Sequence, residues 1–344
     1  MPSFFKIFAR DLGIDLGTAN TVISDINGNV LINEPSVVAI DLTTYELLAV
    51  GIEAKNMLGK TPENIMAVRP LENGAIADFE LTRAMLSYFI KKAVKGFTLI
   101  QPRAVVTVPS FLTDIERRAV EDVVIYAGCR DVVLVEENIA SALGIGYDIN
   151  KPQGNLIVNI GAGTIQTSIV SLAGVVASDA VKYGGDNVDR NIRNYVKKTY
   201  NFLVGNTTCE YLKNNICSLK TENQSRKASI SGKDLITGMP KVVEVSAADL
   251  LDCVMPLVNE TLSSIRTVLE KTPPEISGEV VLNGMVICGG LANLEGFAET
   301  IRENILIETK VSENPIDVTG IGIGKAIEII TKKRKLFIRK KNEQ

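Results

Sequence analysis

The chain of 344 residues contains no histidine. That absence excludes histidine-based catalytic triads and imidazole metal ligands outright. Cysteine is sparse: five residues stand at positions 129, 209, 217, 253 and 288, and no pair has metal-ligand or redox spacing. They fit a reduced cytosol and plain packing. No apolar run is long enough to span a membrane, and the opening Phe4-Phe5-Lys6-Ile7-Phe8 is too short and too charged for a secretory signal. There is no excess of positive charge either. The 37 Lys and Arg against 40 Asp and Glu leave a net charge of −3, so the chain as a whole is not built to bind nucleic acid. What is present, 46% hydrophobic and 22% charged residues, is ordinary for an α/β protein, and the length allows two domains with a substantial core.

One stretch organises the rest. In Gly13-Ile14-Asp15-Leu16-Gly17-Thr18-Ala19-Asn20-Thr21 an apolar run reaches an acidic residue, turns at Gly-Thr and leaves through small polar residues into Val22-Ile23. This reads as two strands joined by a tight hairpin, with Gly17 letting the backbone approach a ligand. Backbone N–H groups and hydroxyls around such a turn form a nest for phosphate oxygens, and Asp15 at the strand end is placed to hold a hydrated metal ion. Downstream, Leu156-Ile157-Val158-Asn159-Ile160-Gly161-Ala162-Gly163-Thr164 repeats the pattern. Two hairpins of one design suggest a duplicated domain closing on one phosphate group. A third glycine turn, Cys288-Gly289-Gly290, follows the run Met285-Val286-Ile287 and could approach a nucleotide from the other side.

Around these turns the order is strand–helix, the α/β pattern. Helices are expected over 78–96, over 113–127 with Thr113-x-x-Glu116 as a capping box and Gly128 as its stop, and over 186–200 after Gly184-Gly185. Others are expected over 210–220, over 247–269 before Pro273-Pro274, and over 324–330. Residues 221–245 read as strands with turns at Ser231-Gly232 and Thr237-Gly238.

With these residues in view, the chain resembles the MreB family of bacterial actins, within the superfamily of actins, heat-shock chaperones and sugar kinases. The resemblance runs over roughly 10–330. It rests on the Gly13–Thr21 stretch, Asn33-Glu34-Pro35-Ser36-Val37-Val38, Val68-Arg69-Pro70-Leu71, Ala77-Asp78-Phe79, Val108-Pro109-Ser110 and, most specifically, Leu269-Glu270-Lys271-Thr272-Pro273-Pro274-Glu275. It implies an α/β, actin-like two-domain ATPase fold of duplicated ribonuclease-H-like domains in four subdomains, with ATP (ADP after hydrolysis) and Mg2+ in the cleft. By residue match, Asp15, Gly17, Thr18, Ala19 and Asn20 form the first phosphate loop, and Asn159, Gly161, Ala162, Gly163 and Thr164 the second. Gly185, Glu210, Lys213, Gly289 and Gly290 would face ribose and base. Asp15 would hold the metal through water. Glu137 matches the catalytic carboxylate, and Thr164 its partner in placing the attacking water.

The resemblance implies domain I over 11–150 with a small inserted subdomain about 33–70. Domain II would cover 151–315 with an insert about 181–245, and a helix over 316–330 would return to domain I. The departures sit at the chemistry. Asn159 stands where the family has Asp, and Ala162 where it has Gly. Ile165-Gln166 replaces Thr-Glu, Cys288 replaces Thr before the glycines, Leu291 replaces a third glycine, and Asn138 stands where a proline is usual. Phosphoryl transfer to water needs charge neutralisation by the metal and an oriented nucleophile. Losing a charge-assisted hydrogen bond there is worth roughly 1.5–3 kcal/mol. ATP binding is therefore expected to survive and hydrolysis to be slow.

The ends of the chain carry a separate expectation. Phe4, Phe5, Ile7 and Phe8 fall on one side of a short helical wheel. At the other end Lys332, Lys333, Arg334, Lys335, Arg339, Lys340 and Lys341 surround Leu336-Phe337-Ile338. Segments 1–10 and 331–344 together read as weak anchors to an anionic membrane surface. The expectation is a nucleotide-dependent filament protein, cytoplasmic and peripheral on the inner face of the cell membrane. It would set cell shape, or serve motility in a wall-less helical cell, with itself and paralogous actins as partners. The competing readings are a small-molecule kinase of the same superfamily, a chaperone ATPase, for which the chain lacks a substrate-binding extension, and a division-type membrane-anchored actin.

Overall fold

Two five-stranded sheets of the same design carry the molecule. The computed structural model describes residues 11–94 and 100–332. The first sheet runs Asp131–Glu136, Arg103–Val108, Asp11–Leu16, Asn20–Ser24, Val30–Pro35, and the second Gly174–Val181, Ile165–Ser171, Asn155–Ile160, Met285–Cys288, Thr309–Val311. In each sheet the first three strands of the chain form an antiparallel meander, and the last two add in parallel beside the first strand. The central strands are buried apolar runs, as strands covered on both faces must be.

Each half carries a smaller sheet. Strands Leu47–Val50, Val38–Asp41 and Ile65–Val68 pair under the helix Ile52–Met57, with a core of Val37, Ala39 and Ala54. Strands Phe202–Leu203, Lys227–Asp234 and Pro240–Ser246 lie with the helices Gly185–Tyr200 and Asn206–Asn215.

The helix Asp114–Tyr126 begins at the expected capping box, with Thr113 Oγ1 accepting from the Glu116 N–H at 3.2 Å and Glu116 Oε2 accepting from the Thr113 N–H at 2.8 Å. A second box, Ser246 with Asp249, starts the long helix Ala247–Glu270. Three expectations shift. The helix expected over 210–220 is Asn206–Asn215, because Asn206, Thr207 and Thr208 open its first turn. Ser231-Gly232 is not a turn. It lies inside the strand Lys227–Asp234, where a Gly232 side chain would collide with the Leu203 carbonyl, so the glycine serves close backbone approach. The turn is Thr237-Gly238, with Gly238 at φ +73°. Pro273-Pro274 ends one helix and starts another, Pro274–Asn283, with Pro274 in the first turn.

The last helix, Val318–Lys332, starts before the 324–330 segment and lies within two residues of the 316–330 span that the resemblance implied. Its Gly320, Gly322 and Gly324 lower helix propensity but admit close packing. A methyl group on Gly322 would collide with the Ala140 carbonyl, and one on Gly324 would sit 2.8 Å from Gly28 Cα. Val318, Ile323, Ala326 and Ile327 are buried against Ile139, Ala140 and Leu143 of the helix Glu137–Ile145. This packing ties the end of the chain to the element that begins with Glu137.

Candidate functional site

The two glycine hairpins share one bonding pattern. The Gly17 N–H donates to the Asn20 carbonyl at 3.1 Å, and the Gly161 N–H to the Thr164 carbonyl at 2.9 Å. They face each other closely enough that a Cβ on Gly163 would lie 3.0 Å from Thr18 Oγ1 and 2.8 Å from Asn73 Cα. Thr18 Oγ1 accepts from the Gly74 N–H at 3.0 Å, pinning the first turn to that neighbouring loop. Behind the second turn the Gly185 N–H bonds the Gly161 carbonyl and the Asp186 N–H the Ala162 carbonyl, at 3.1 and 2.8 Å. The start of the helix Gly185–Tyr200 thus buttresses the loop.

Between the turns lies a cavity of about 470 Å3. Asp15, Gly17, Thr18, Ala19 and Asn20 line it from the first sheet, and Asn159, Gly161, Ala162, Gly163 and Thr164 from the second. Glu137 borders it, as do Gly185, Glu210 and Lys213 on their helices and Gly289 and Gly290 at the third glycine turn. Gly289 has φ +88°, and it packs on the second hairpin strand so tightly that any side chain would meet Ile160.

Two carboxylates lie at the floor of the cavity. Thr107 Oγ1 donates to Asp15 Oδ1 at 2.6 Å. Burial pushes the Asp15 carboxyl well above its ordinary range, against the Thr107 hydrogen bond and with help from the charge of Asp317. Burial, and then the charge of Asp15, push Glu137 up as well, with the Gln166 hydrogen bond opposing. Asn159 Nδ2 donates to Glu137 Oε1 at 2.6 Å and to Thr319 Oγ1 at 3.3 Å, and Gln166 Nε2 donates to Glu137 Oε2.

Two expected site residues already have ionic partners. Glu210 Oε1 is 2.8 Å from Lys55 Nζ, and Lys213 Nζ is 2.8 Å from Asp189 Oδ2 and 3.2 Å from the Gly185 carbonyl. Ile165 packs into the core of the second sheet and does not border the cavity. Lys55, Gly74, Thr107 and Thr319 border the cavity without having been expected there, and Gln166 reaches Glu137 from the adjoining strand. For Gln166 a signal exists in the sequence: it stands two residues beyond Thr164, at a position where the chain departs from the family pattern. Lys55 and Thr319 carry no local signal. Phe4, Phe5, Ile7, Phe8, Lys333, Arg334, Lys335, Phe337, Arg339, Lys340 and Lys341 lie outside the described residues, and Lys332 ends the last helix.

A family model described as MreB/Mbl protein matches residues 9–335. The chain belongs to the MreB/Mbl family. It is 39% identical over 333 residues to the cell shape-determining protein Mbl of Bacillus subtilis (strain 168), covering 96% of this chain and 100% of that protein. To the cell shape-determining protein MreB of Escherichia coli (strain K12) it is 38% identical over 335 residues, 96% of each chain. The crystal structure of MreB5 of Spiroplasma citri bound to AMPPNP matches with a TM-score of 0.88 at 31% identity, covering 97% of this chain and 98% of that one. The fold is therefore the actin-like α/β fold of this family. The Spiroplasma protein was solved with a nucleotide analogue.

Proposed function

We propose that this member of the MreB/Mbl family is a cytoskeletal filament protein that binds ATP with Mg2+ in the cavity between its two hairpins and hydrolyses it slowly. The observation that carries the reading is the pair of identically bonded glycine turns facing one cavity, with the carboxylates of Asp15 and Glu137 between the sheets. The turns offer backbone N–H groups to phosphate oxygens. The donor set suits Mg2+ as well: the Asp15 carboxylate lines the cavity beside the glycine turns. Mg2+ keeps most of its waters and needs only one or two carboxylates beside phosphates. Asp15 would hold it, and the ion would supply charge neutralisation at the phosphates. A cation there would also offset the burial that raises Asp15.

The residues of the chain then divide the work. Thr18, Gly161 and Gly163 cradle the phosphates, and Gly289 and Gly290 leave room for the base. Thr164 positions a water and Glu137 accepts its proton. The two halves, 11–150 with 316–330 and 151–315, act as the jaws of this site. Segments 1–10 and 331–344 attach the filament to the inner face of the cell membrane, each Lys or Arg near an anionic leaflet contributing about 1 kcal/mol.

Sedimentation and electron microscopy of the purified chain with ATP and Mg2+ test the filament reading. Protofilaments are expected, and a chain that stays monomeric across nucleotide and salt conditions overturns it. Flotation with anionic and neutral liposomes tests attachment. Removal of residues 331–344 should abolish the salt-sensitive part of binding, and equal binding to neutral liposomes with and without the tail refutes the electrostatic contribution.

A further inference from the structure

Asn159 and Gln166 are direct cross-strand partners in the second-sheet hairpin. Residues opposite each other on an antiparallel pair present their side chains to the same face. Here both are buried amides, and they converge on one group: Asn159 Nδ2 on Glu137 Oε1, and Gln166 Nε2 on Glu137 Oε2. Both oxygens of the cavity carboxylate are thus held by the opposite half of the molecule. The other end of the Gln166 amide accepts from the Ser110 N–H at 3.3 Å. That bond fixes which end of the amide faces Glu137, since a backbone N–H can only be met by the carbonyl oxygen. A carboxylate at 166 could accept from Ser110 but could not donate to Glu137. An alanine could do neither.

We propose that Gln166 is a positioning residue acting as a brake on Glu137, with Asn159 as its second arm; this rests on the reading of Glu137 as the acceptor of the water proton. A carboxylate gripped by two amide donors is stabilised in its ionised, hydrogen-bonded form and is a poorer acceptor for a further proton. Its plane is also set by the second-sheet hairpin rather than by the water. Each oxygen keeps a lone pair for a water, so hydrolysis proceeds slowly with both amides bound and faster when one lets go. Because Gln166 also bonds Ser110, that release is coupled to a small shift of the second sheet against the loop that follows Arg103–Val108. The brake therefore ties the rate of hydrolysis to the relative placement of the two halves.

The test is single-turnover phosphate release with ATP and Mg2+ in the wild type, Gln166→Ala, Gln166→Glu, Glu137→Gln and the double variant Gln166→Ala/Glu137→Gln. Nucleotide affinity is measured separately with a fluorescent ATP analogue. Both single Gln166 variants should release phosphate roughly tenfold faster, the order of effect of one charge-assisted hydrogen bond, with affinity changed less than about twofold. Adding Glu137→Gln to Gln166→Ala should remove the acceleration, which a loosened fold alone would not do. Gln166→Glu keeps the bond to Ser110 but sets a like charge beside Glu137, so the assignment to the lost bond rests on Gln166→Ala and its double variant. Unchanged or slower release in both Gln166 variants, or acceleration that survives loss of Glu137, overturns the brake. A wild type that binds no ATP analogue defeats the nucleotide reading instead, and the brake with it. Binding without any dependence of release on Glu137 defeats the brake alone.

Discussion

Lys55, on the short helix Ile52–Met57 of the first half, places its ammonium 2.8 Å from the carboxylate of Glu210 in the second half. Burial raises the Glu210 carboxyl, but Lys55, helped by the charges of Lys213 and Arg69, holds the group below its ordinary range. A second pair, Arg69 Nη1 to Asp186 Oδ1 at 2.7 Å, bridges the same two halves. Both residues of the first pair line the cavity, so it forms part of the cavity wall. Lys55→Ala should speed dissociation of a bound fluorescent nucleotide. The pair is about one third exposed, so the gain is modest, up to about fivefold. Stopped-flow chase at low and high salt checks this, because raising salt should speed the wild type and leave the variant nearly unchanged.

Glu137→Ala should lower phosphate release by a factor on the order of 100 if Glu137 is the proton acceptor. Nucleotide affinity should hold, because the carboxylate is gripped by Asn159 and Gln166 and not by the phosphate turns. Single-turnover release at saturating ATP measures it.

The nucleotide-free protein should lose stability as pH rises from the ordinary carboxylate range to mild alkalinity. Asp15 and Glu137 are both raised in the folded chain, chiefly by burial. The folded state therefore binds protons more tightly than the unfolded one. Their contribution is fully present below the unfolded values and fades as pH climbs through the raised ones. About 1–3 kcal/mol is expected, since each tenfold difference in proton affinity between the two states is worth roughly 1.4 kcal/mol. Denaturant titrations from about pH 5 to about pH 9 should show the fall. The double variant Asp15→Asn/Glu137→Gln should flatten it. Mg2+ with nucleotide should reverse it, since a bound cation favours the ionised carboxylates.

Gly322→Ala tests the packing of the last helix. The added methyl would collide with the Ala140 carbonyl, which is backbone and cannot swing away. A loss of about 3 kcal/mol is expected, at the upper end for overpacking. Because the same helix carries Thr319, which accepts from Asn159, the variant should also weaken nucleotide binding. Gly278→Ala is the control: nothing lies within 4 Å of its Cβ, and no loss is expected.

The sequence by itself determined the local elements that carry their own signals. The Gly17 and Gly161 turns were legible because a glycine turn between two apolar runs has few conformations open to it. The Thr113–Glu116 cap was legible because both partners lie within one helical turn. Where an element depends on distant neighbours, local pattern misled. Gly232 looked like a turn but lies against the Leu203 carbonyl. Gly320, Gly322 and Gly324 let one helix sink onto another, a role that no local pattern shows. The site followed the same division. Asp15, Asn159 and Glu137 were legible as separate residues in their motifs. Only the tertiary structure decided that Asn159 and Gln166 grip opposite oxygens of Glu137, and that Lys55 meets Glu210, 155 positions along the chain. Those contacts join residues whose separation in sequence leaves no periodicity to read. They exist because two halves of the same design close on one cavity.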